Sequence, residues 1–270
     1  MAGYVCTIAG GKGGVGKTTT AVNLGAGLQE LGYDVAVVDA DLGMANLGAM
    51  LDIDPEKNLH DILAGEGAVS EALADAPGGL TVVPGDQSLD AFADADPANL
   101  RTVVKTLRNA YDVVLVDTGA GLSDAVGVPL GLADGIVLVT TPNDVAVSDT
   151  IKTAELAARI GGTVLGVVVT RVTRETDLAA IADRVEFPLL AVVPDDTKPT
   201  ADEPTLLNAP ERPASDAYRR LSEALETVFF DGEEAEEDLE AMVDDEWFVD
   251  DDAASEDEDD QSGGVFGLFN

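Results

Sequence analysis

Apolar and polar positions along this chain follow two alternating patterns. Short uninterrupted apolar runs, such as Val113-Val114-Leu115-Val116 and Ile136-Val137-Leu138-Val139, read as strands covered on both faces, because a strand with one wet face would alternate. Strands are expected near 4–8, 35–39, 80–83, 112–116, 135–140, 163–169 and 189–193. Between them apolar positions recur at helical spacing, which predicts helices at 17–31, 57–64, 69–74, 98–109, 145–160, 176–184 and 214–229. Strands alternating with helices need crossover connections. The fold class expected is therefore α/β: a doubly wound, mostly parallel sheet with helices on both faces. No linker or repeat interrupts the pattern, so one domain is expected over 1–230.

Beyond that point the pattern stops. Residues 231–262 are acidic and poor in apolar side chains, as expected of a disordered linker. Within them Leu239, Met242, Val243 and Trp247 are spaced to share one side of a short helix. Residues 263–270 form a short apolar motif with Val265, Phe266, Leu268 and Phe269.

Charge changes this picture. The chain carries 52 acids against 15 bases, net −37. Residues 231–270 hold 18 of the acids and no Lys or Arg, which leaves 34 acids and 15 bases, net −19, in residues 1–230. The body is thus acidic in its own right, as expected of a cytoplasmic protein from a salt-rich cell, where hydrated carboxylates keep proteins soluble. Such a surface argues against DNA binding, which displaces counterions with basic residues. The single Cys6 lies in an apolar strand run and reads as an inert core residue. It permits no intrachain disulfide and no cysteine cluster. No apolar run approaches a membrane span, and the N-terminus lacks a signal pattern, so a cytoplasmic location is expected.

The candidate chemistry starts with Gly11-x-x-x-x-Gly16-Lys17-Thr18, a P-loop pattern between a predicted strand and a predicted helix. Gly11, Gly13, Gly14 and Gly16, with Val15 between, let backbone N–H groups turn inward around phosphate oxygens. The following helix, opening with Lys17, Thr18 and Thr19, aims its positive end at the same anion. Lys17 would reach the β- and γ-phosphates, and the Thr18 hydroxyl would bind Mg²⁺. A P-loop needs a second carboxylate for its metal. The run Tyr111-Asp112-Val113-Val114-Leu115-Val116-Asp117 supplies Asp117 at a strand end, ahead of a loop with Gly121. A third strand ends in Asp39 and Asp41, one expected to face the phosphates and the other to brace the loop. No guanine-reading Asn-Lys-x-Asp is present, since 141–144 lacks the lysine; ATP is the expected nucleotide. The second lysine of the turn, Lys12, is more than phosphate binding requires.

The stretch from Lys12 to Thr18 resembles the deviant Walker A motif of the MinD/ParA ATPases. The resemblance continues through residues 39–47, 116–121, 140–149 and 192–196 and covers about 3–230 in order, most closely in MinD-type members. It implies an ATP-dependent homodimer in which Lys12 crosses to the partner's nucleotide and offsets repulsion between two triphosphates. It further implies that Asp41 orients the attacking water, that Asp39 and Asn46 are switch residues, and that Asp117 is the Mg²⁺-linked acid. Hydrolysis would be slow and stimulated by an activating or cargo protein. Two departures stand out. The sequence Asp117-Thr118-Gly119-Ala120-Gly121 has glycine where relatives often have proline, and Thr170-Arg171 replaces an Asn that contacts adenine in many relatives.

The resemblance also sets the C-terminal motif where MinD proteins carry a membrane-targeting helix, although no Lys or Arg flanks it here. Weak membrane contact, a docking peptide for a protein partner and a free end all remain open readings of it. The function expected is a Mg-ATP-driven dimerising switch that positions cellular machinery, either the division site or a polar motility or chemosensory assembly. The alternatives are a ParA-type partition ATPase acting on DNA and a metabolic P-loop phosphotransferase. A metal-cluster carrier would need paired cysteines, which the sequence lacks.

Overall fold

The computed structural model describes residues 2–121, 123–195 and 203–232, together with Met242 and Trp247. Eight strands form one sheet: β1 (Tyr4–Gly10), β2 (Val35–Ala40), β3 (Ala74–Asp75), β4 (Thr81–Val83), β5 (Val113–Ala120), β6 (Gly135–Thr140), β7 (Val164–Val172) and β8 (Leu189–Pro194). Their order is β3-β4-β2-β5-β1-β6-β7-β8. Only the pairing of β3 with β4 is antiparallel. The helices are α1 (Lys17–Glu30), α2 (Leu47–Leu51), α3 (Leu59–Leu63), α4 (Leu89–Asp94), α5 (Leu100–Arg108), α6 (Asp124–Leu132), α7 (Asp144–Arg159), α8 (Leu178–Val185), α9 (Thr205–Asn208) and α10 (Pro213–Glu226).

The uninterrupted apolar runs have the reason expected of them. Cys6, Ile8, Val37 and Leu115 point into a core beneath α1 and α10. Their neighbours Val5, Val38, Val114 and Val116 point to the opposite face, into a core with α3 and α5. A third core on that second face joins Ile136, Leu138, Val167 and Val169 to α6, α7 and α8. Cys6 is fully buried, and burial pushes its thiol far above the ordinary range, so it is a packing residue.

Helix α1 sits close to its neighbours because two of its residues lack side chains. A Cβ on Gly25 would come within 3.0 Å of Leu80, and one on Gly27 would collide with Ser222 of α10. This close seat anchors the P-loop at the head of α1.

The structure departs from the expected elements in several places. The helix expected over 69–74 is a single 3₁₀ turn, Val69–Glu71, and Ala74–Asp75 pairs with β4 instead. The helix expected over 214–229 ends at Glu226, and residues 227–231 widen into a π turn that stacks Phe229 on Tyr4 and Phe230 on Tyr33. Helix α6 was not expected, because Gly127, Pro129 and Gly131 are poor helix formers. Packing overrides propensity there: Val126 and Leu130 are buried, and Thr7 Oγ1 donates to the Pro129 carbonyl at 3.0 Å.

Among the described residues no helix is long and apolar enough to cross a membrane. Of the segment 231–262, Met242 packs half-buried against the third core, and Trp247 packs against the first with the Arg220 guanidinium 5.4 Å from its ring centre. The rest of that segment beyond Gly232, and the motif at 263–270, lie outside the described residues.

Candidate nucleotide site

Strand β1 ends at Gly10 and α1 begins at Lys17, so the intervening turn must reverse direction at the centre of the sheet. Gly14 (φ 75°) and Gly16 (φ 92°) take the left-handed backbone that costs a side chain dearly. Gly10 and Gly11 serve packing instead. A Cβ on Gly10 would lie 2.5 Å from the Val139 carbonyl oxygen, and one on Gly11 would collide with the Asp149 backbone of α7. Val15 is buried, and its carbonyl accepts the Thr170 hydroxyl at 2.7 Å. The first intrahelical bond runs from Thr20 N–H to Gly16 O at 2.8 Å. The N–H groups of Lys17, Thr18 and Thr19 therefore have no helical acceptor and face the turn, as an anion requires.

The two lysines are placed differently. Lys17 is buried, 7% exposed, with its charge close enough to Asp117 to favour that carboxylate. Lys12 is exposed on the outer edge of the turn, and nothing among the described residues pairs with it.

Strands β2 and β5 bring Asp39 and Asp117 side by side in register, both fully buried. Thr18 Oγ1 donates to Asp117 Oδ2 at 2.5 Å, while Asp117 Oδ1 is buried with no partner among the described residues. Burial, and next the charge of Asp39, push the Asp117 carboxyl up to about 8, against the pull of Thr18 and Lys17. Burial raises Asp39 as well, although three backbone N–H groups bond its carboxylate. Two such neighbours resist carrying full charge together unless a cation joins them. An orphaned carboxylate oxygen beside a threonine hydroxyl is an oxygen donor set suited to Mg²⁺, so the residues present fit that ion. When bound, it would neutralise charge on phosphate oxygens.

Asp39 braces the loop that follows β2. Its Oδ2 accepts the N–H groups of Asn46 and Leu47, each at 2.9 Å, and its Oδ1 that of Asp41 at 3.3 Å. Asp41 lies just past the strand, half-buried, with Oδ1 accepting from Met44 N–H at 3.1 Å. Its carboxylate rests on Gly119: a Cβ there would sit 2.8 Å from Asp41 Oδ1. The glycine that replaces the often-seen proline thus makes room for the acid. Gly121 closes that loop with φ 98°.

Lys17, Thr18, Asp39, Asp41 and Asp117 accordingly converge on the P-loop. The side chains of Lys12 and Asn46 stay exposed beside it. Val265, Phe266, Leu268 and Phe269 lie outside the described residues. Sequence reasoning noted Thr170 only as a departure from relatives and missed its bonds: its hydroxyl spans Val15 O and, at 3.1 Å, Thr140 O. A threonine closing the run Val167-Val168-Val169 was the available signal. The next residue, Arg171, adopts φ 55°, a strained backbone for a side chain of that size.

Comparison with known proteins bears on the family and the fold. The model of the CobQ/CobB/MinD/ParA nucleotide binding domain matches residues 6–203. An uncharacterised ATP-binding protein of Methanocaldococcus jannaschii is 34% identical over 226 residues, covering 81% of this chain and 86% of its own. The flagellum site-determining protein YlxH of Helicobacter pylori is 35% identical over 145 residues, 53% of this chain and 49% of that one. Among solved structures, the septum site-determining protein MinD of Pyrococcus horikoshii, complexed with Mg-ADP, superposes with a TM-score of 0.78 at 33% identity. That match covers 83% of this chain and 96% of the other.

Proposed function

The chain belongs to the CobQ/CobB/MinD/ParA family of nucleotide-binding proteins, and from that premise we propose that it is a Mg-ATP-dependent ATPase switch that dimerises on ATP. In this reading it positions cellular machinery, as the names of its septum and flagellum site-determining relatives suggest. The observation that carries the proposal is the contrast between the two lysines of one turn. A buried Lys17 suffices to grip the β- and γ-phosphates from within. An exposed Lys12, unpaired among the described residues of an acidic chain, is left to reach outward. On a second copy, the strongest acceptor it could meet is the triphosphate held in the same turn.

The remaining roles follow from placement. The inward N–H groups of 11–19 cradle the phosphates. Thr18 and Asp117 hold Mg²⁺, which fits the 2.5 Å bond between them and the free Oδ1 of Asp117. Asp41, at the mouth of the turn, orients the attacking water. Asp39, spent on three backbone N–H groups, keeps that loop in place. Because Lys12 finds its acceptor only when the partner's site is filled, nucleotide state becomes assembly state.

Light scattering on an Asp41→Ala background tests this. The chain should be dimeric with Mg-ATP and monomeric with Mg-ADP. Adding Lys12→Ala should return it to monomer with ATP while nucleotide affinity falls by less than about tenfold, because the buried Lys17 keeps its hold on the phosphates. The same assembly with ATP, with ADP and without nucleotide would refute the proposal.

A further inference from the structure

Two loops meet beyond the ends of β2 and β4, and the chain's one histidine joins them. His60, near the start of α3, is 1% exposed. Its Nδ1 accepts the N–H of Asp86 at 2.9 Å, so the ring proton is on Nε2, which donates to the Leu42 carbonyl at 3.0 Å. Asp86 lies in the turn after β4, and Leu42 directly follows Asp41. One imidazole thus bolts the loop that carries Asp41 to the turn at 84–86.

The surroundings are shaped for that ring. Asn58 caps α3, accepting His60 N–H at 2.9 Å, and Asp61 returns a bond to Asn58 N–H at 2.9 Å, which fixes where the histidine leaves the backbone. Gly85 supplies the space, since a Cβ there would lie 3.2 Å from His60 Cε1 and 2.7 Å from Ala45 Cβ. An apolar residue of equal volume would fill the same hole. It would also strand a buried carbonyl and an N–H, and the 42–45 loop has no strand or helix ladder of its own to replace them.

We propose that His60 is a positioning residue for ATP hydrolysis. It fixes the Leu42 carbonyl, and through it the Asp41 carboxylate one residue earlier, relative to the P-loop. This rests on the reading that Asp41 orients the attacking water.

Two isosteric substitutions separate its two bonds. His60→Gln can place an amide N–H where Nε2 donates to Leu42, and His60→Asn can place an amide oxygen where Nδ1 accepts from Asp86. The expected result is kcat for ATP within about twofold of wild type in His60→Gln. In His60→Asn kcat should fall about five- to tenfold, the loss of one hydrogen bond, with KM within about twofold and similar melting midpoints in both. Equal kcat in the two variants would overturn the proposal, because a merely structural histidine would not distinguish its two nitrogens.

Should either variant fail to fold, the imidazole ¹⁵N signals of the unmodified chain decide. They should report the Nε2–H tautomer and shift between Mg-ADP and a non-hydrolysable ATP analogue; identical signals in both states would refute the role. Asp41→Ala, run in parallel, tells the two failures apart. If it retains hydrolysis, the reading beneath the proposal falls. If it loses hydrolysis while the His60 variants behave alike, only the role of His60 falls.

Discussion

The turn at 11–16 and the loop at 41–46, the phosphate grip and the switch of the proposed function, lie side by side at one end of the sheet, yet they are fixed by different means. The phosphate turn is set by backbone packing: Gly10 and Gly11 press against Val139 and Asp149, and α1 continues the turn without a break. The switch loop has one turn bond of its own, Met44 N–H to Asp41 O at 3.2 Å. Apart from a second bond within the loop, Met44 N–H to Asp41 Oδ1 at 3.1 Å, side chains from elsewhere hold it, namely Asp39, His60 and Gln87. Each such bond contributes about 0.5–1.5 kcal/mol net, the scale on which a ligand shifts a conformational equilibrium. In the proposed function the grip on the triphosphate is therefore built in, whereas the placement of Asp41 would be re-set by what the site contains.

The sharpest way to break this contrast is to add one methyl group to the phosphate turn. In Gly11→Ala the new Cβ meets the Asp149 backbone, which cannot swing aside as a side chain would. Overpacking of that kind costs about 1–3 kcal/mol. The melting midpoint should drop by several degrees, and ATP binding should weaken with it. Gly13→Ala, two residues on, meets open space on an ordinary backbone and should change stability by less than about 0.5 kcal/mol. Equal melting midpoints for the two variants by calorimetry would show that packing does not set the turn.

The same contrast explains what the sequence revealed. The turn was readable because its chemistry is local: glycines, Lys17 and Thr18 at fixed spacing, between an apolar strand run and a helix. Asp39 and Asp117 were readable because strand ends are visible as apolar runs that stop at a charge. The ties of the switch loop were not. His60 and Leu42 are 18 residues apart and Gln87 and Ala45 42, and no spacing rule links them. Helix α4 escaped for a related reason: its six residues, Leu89–Asp94, are too few to show a helical period, and none is buried. The strands buried on both faces could be read; the half-exposed β3 and the loops that α3 and the 84–88 turn arrange could not.

A smaller effect probes the other loop. Gly119→Ala adds a Cβ 2.8 Å from Asp41 Oδ1, and since the backbone at 119 is not left-handed, the acid absorbs the strain. Displacing Asp41 should lower kcat about three- to tenfold, with ADP affinity within about twofold, because the phosphate turn is untouched. If isothermal titration instead shows nucleotide affinity falling as far as kcat, the two loops are one unit and the contrast is wrong.

The smallest effect belongs to Gln87. Its Nε2 donates to the Ala45 carbonyl at 2.9 Å, on the rim of a polar groove that Asp52, Asp54 and Asp86 also line. Water reaches that groove, so in Gln87→Ala a water molecule can take over the carbonyl, and the net loss should be near 0.5 kcal/mol. Hydrolysis should fall by no more than about twofold. His60, by contrast, bonds Leu42 where both partners are buried and no water can substitute. A switch loop secured by several modest bonds should show this ranking by solvent access. A Gln87→Ala rate loss as large as that of His60→Asn would mean that position along the loop, not burial, decides what each tie is worth.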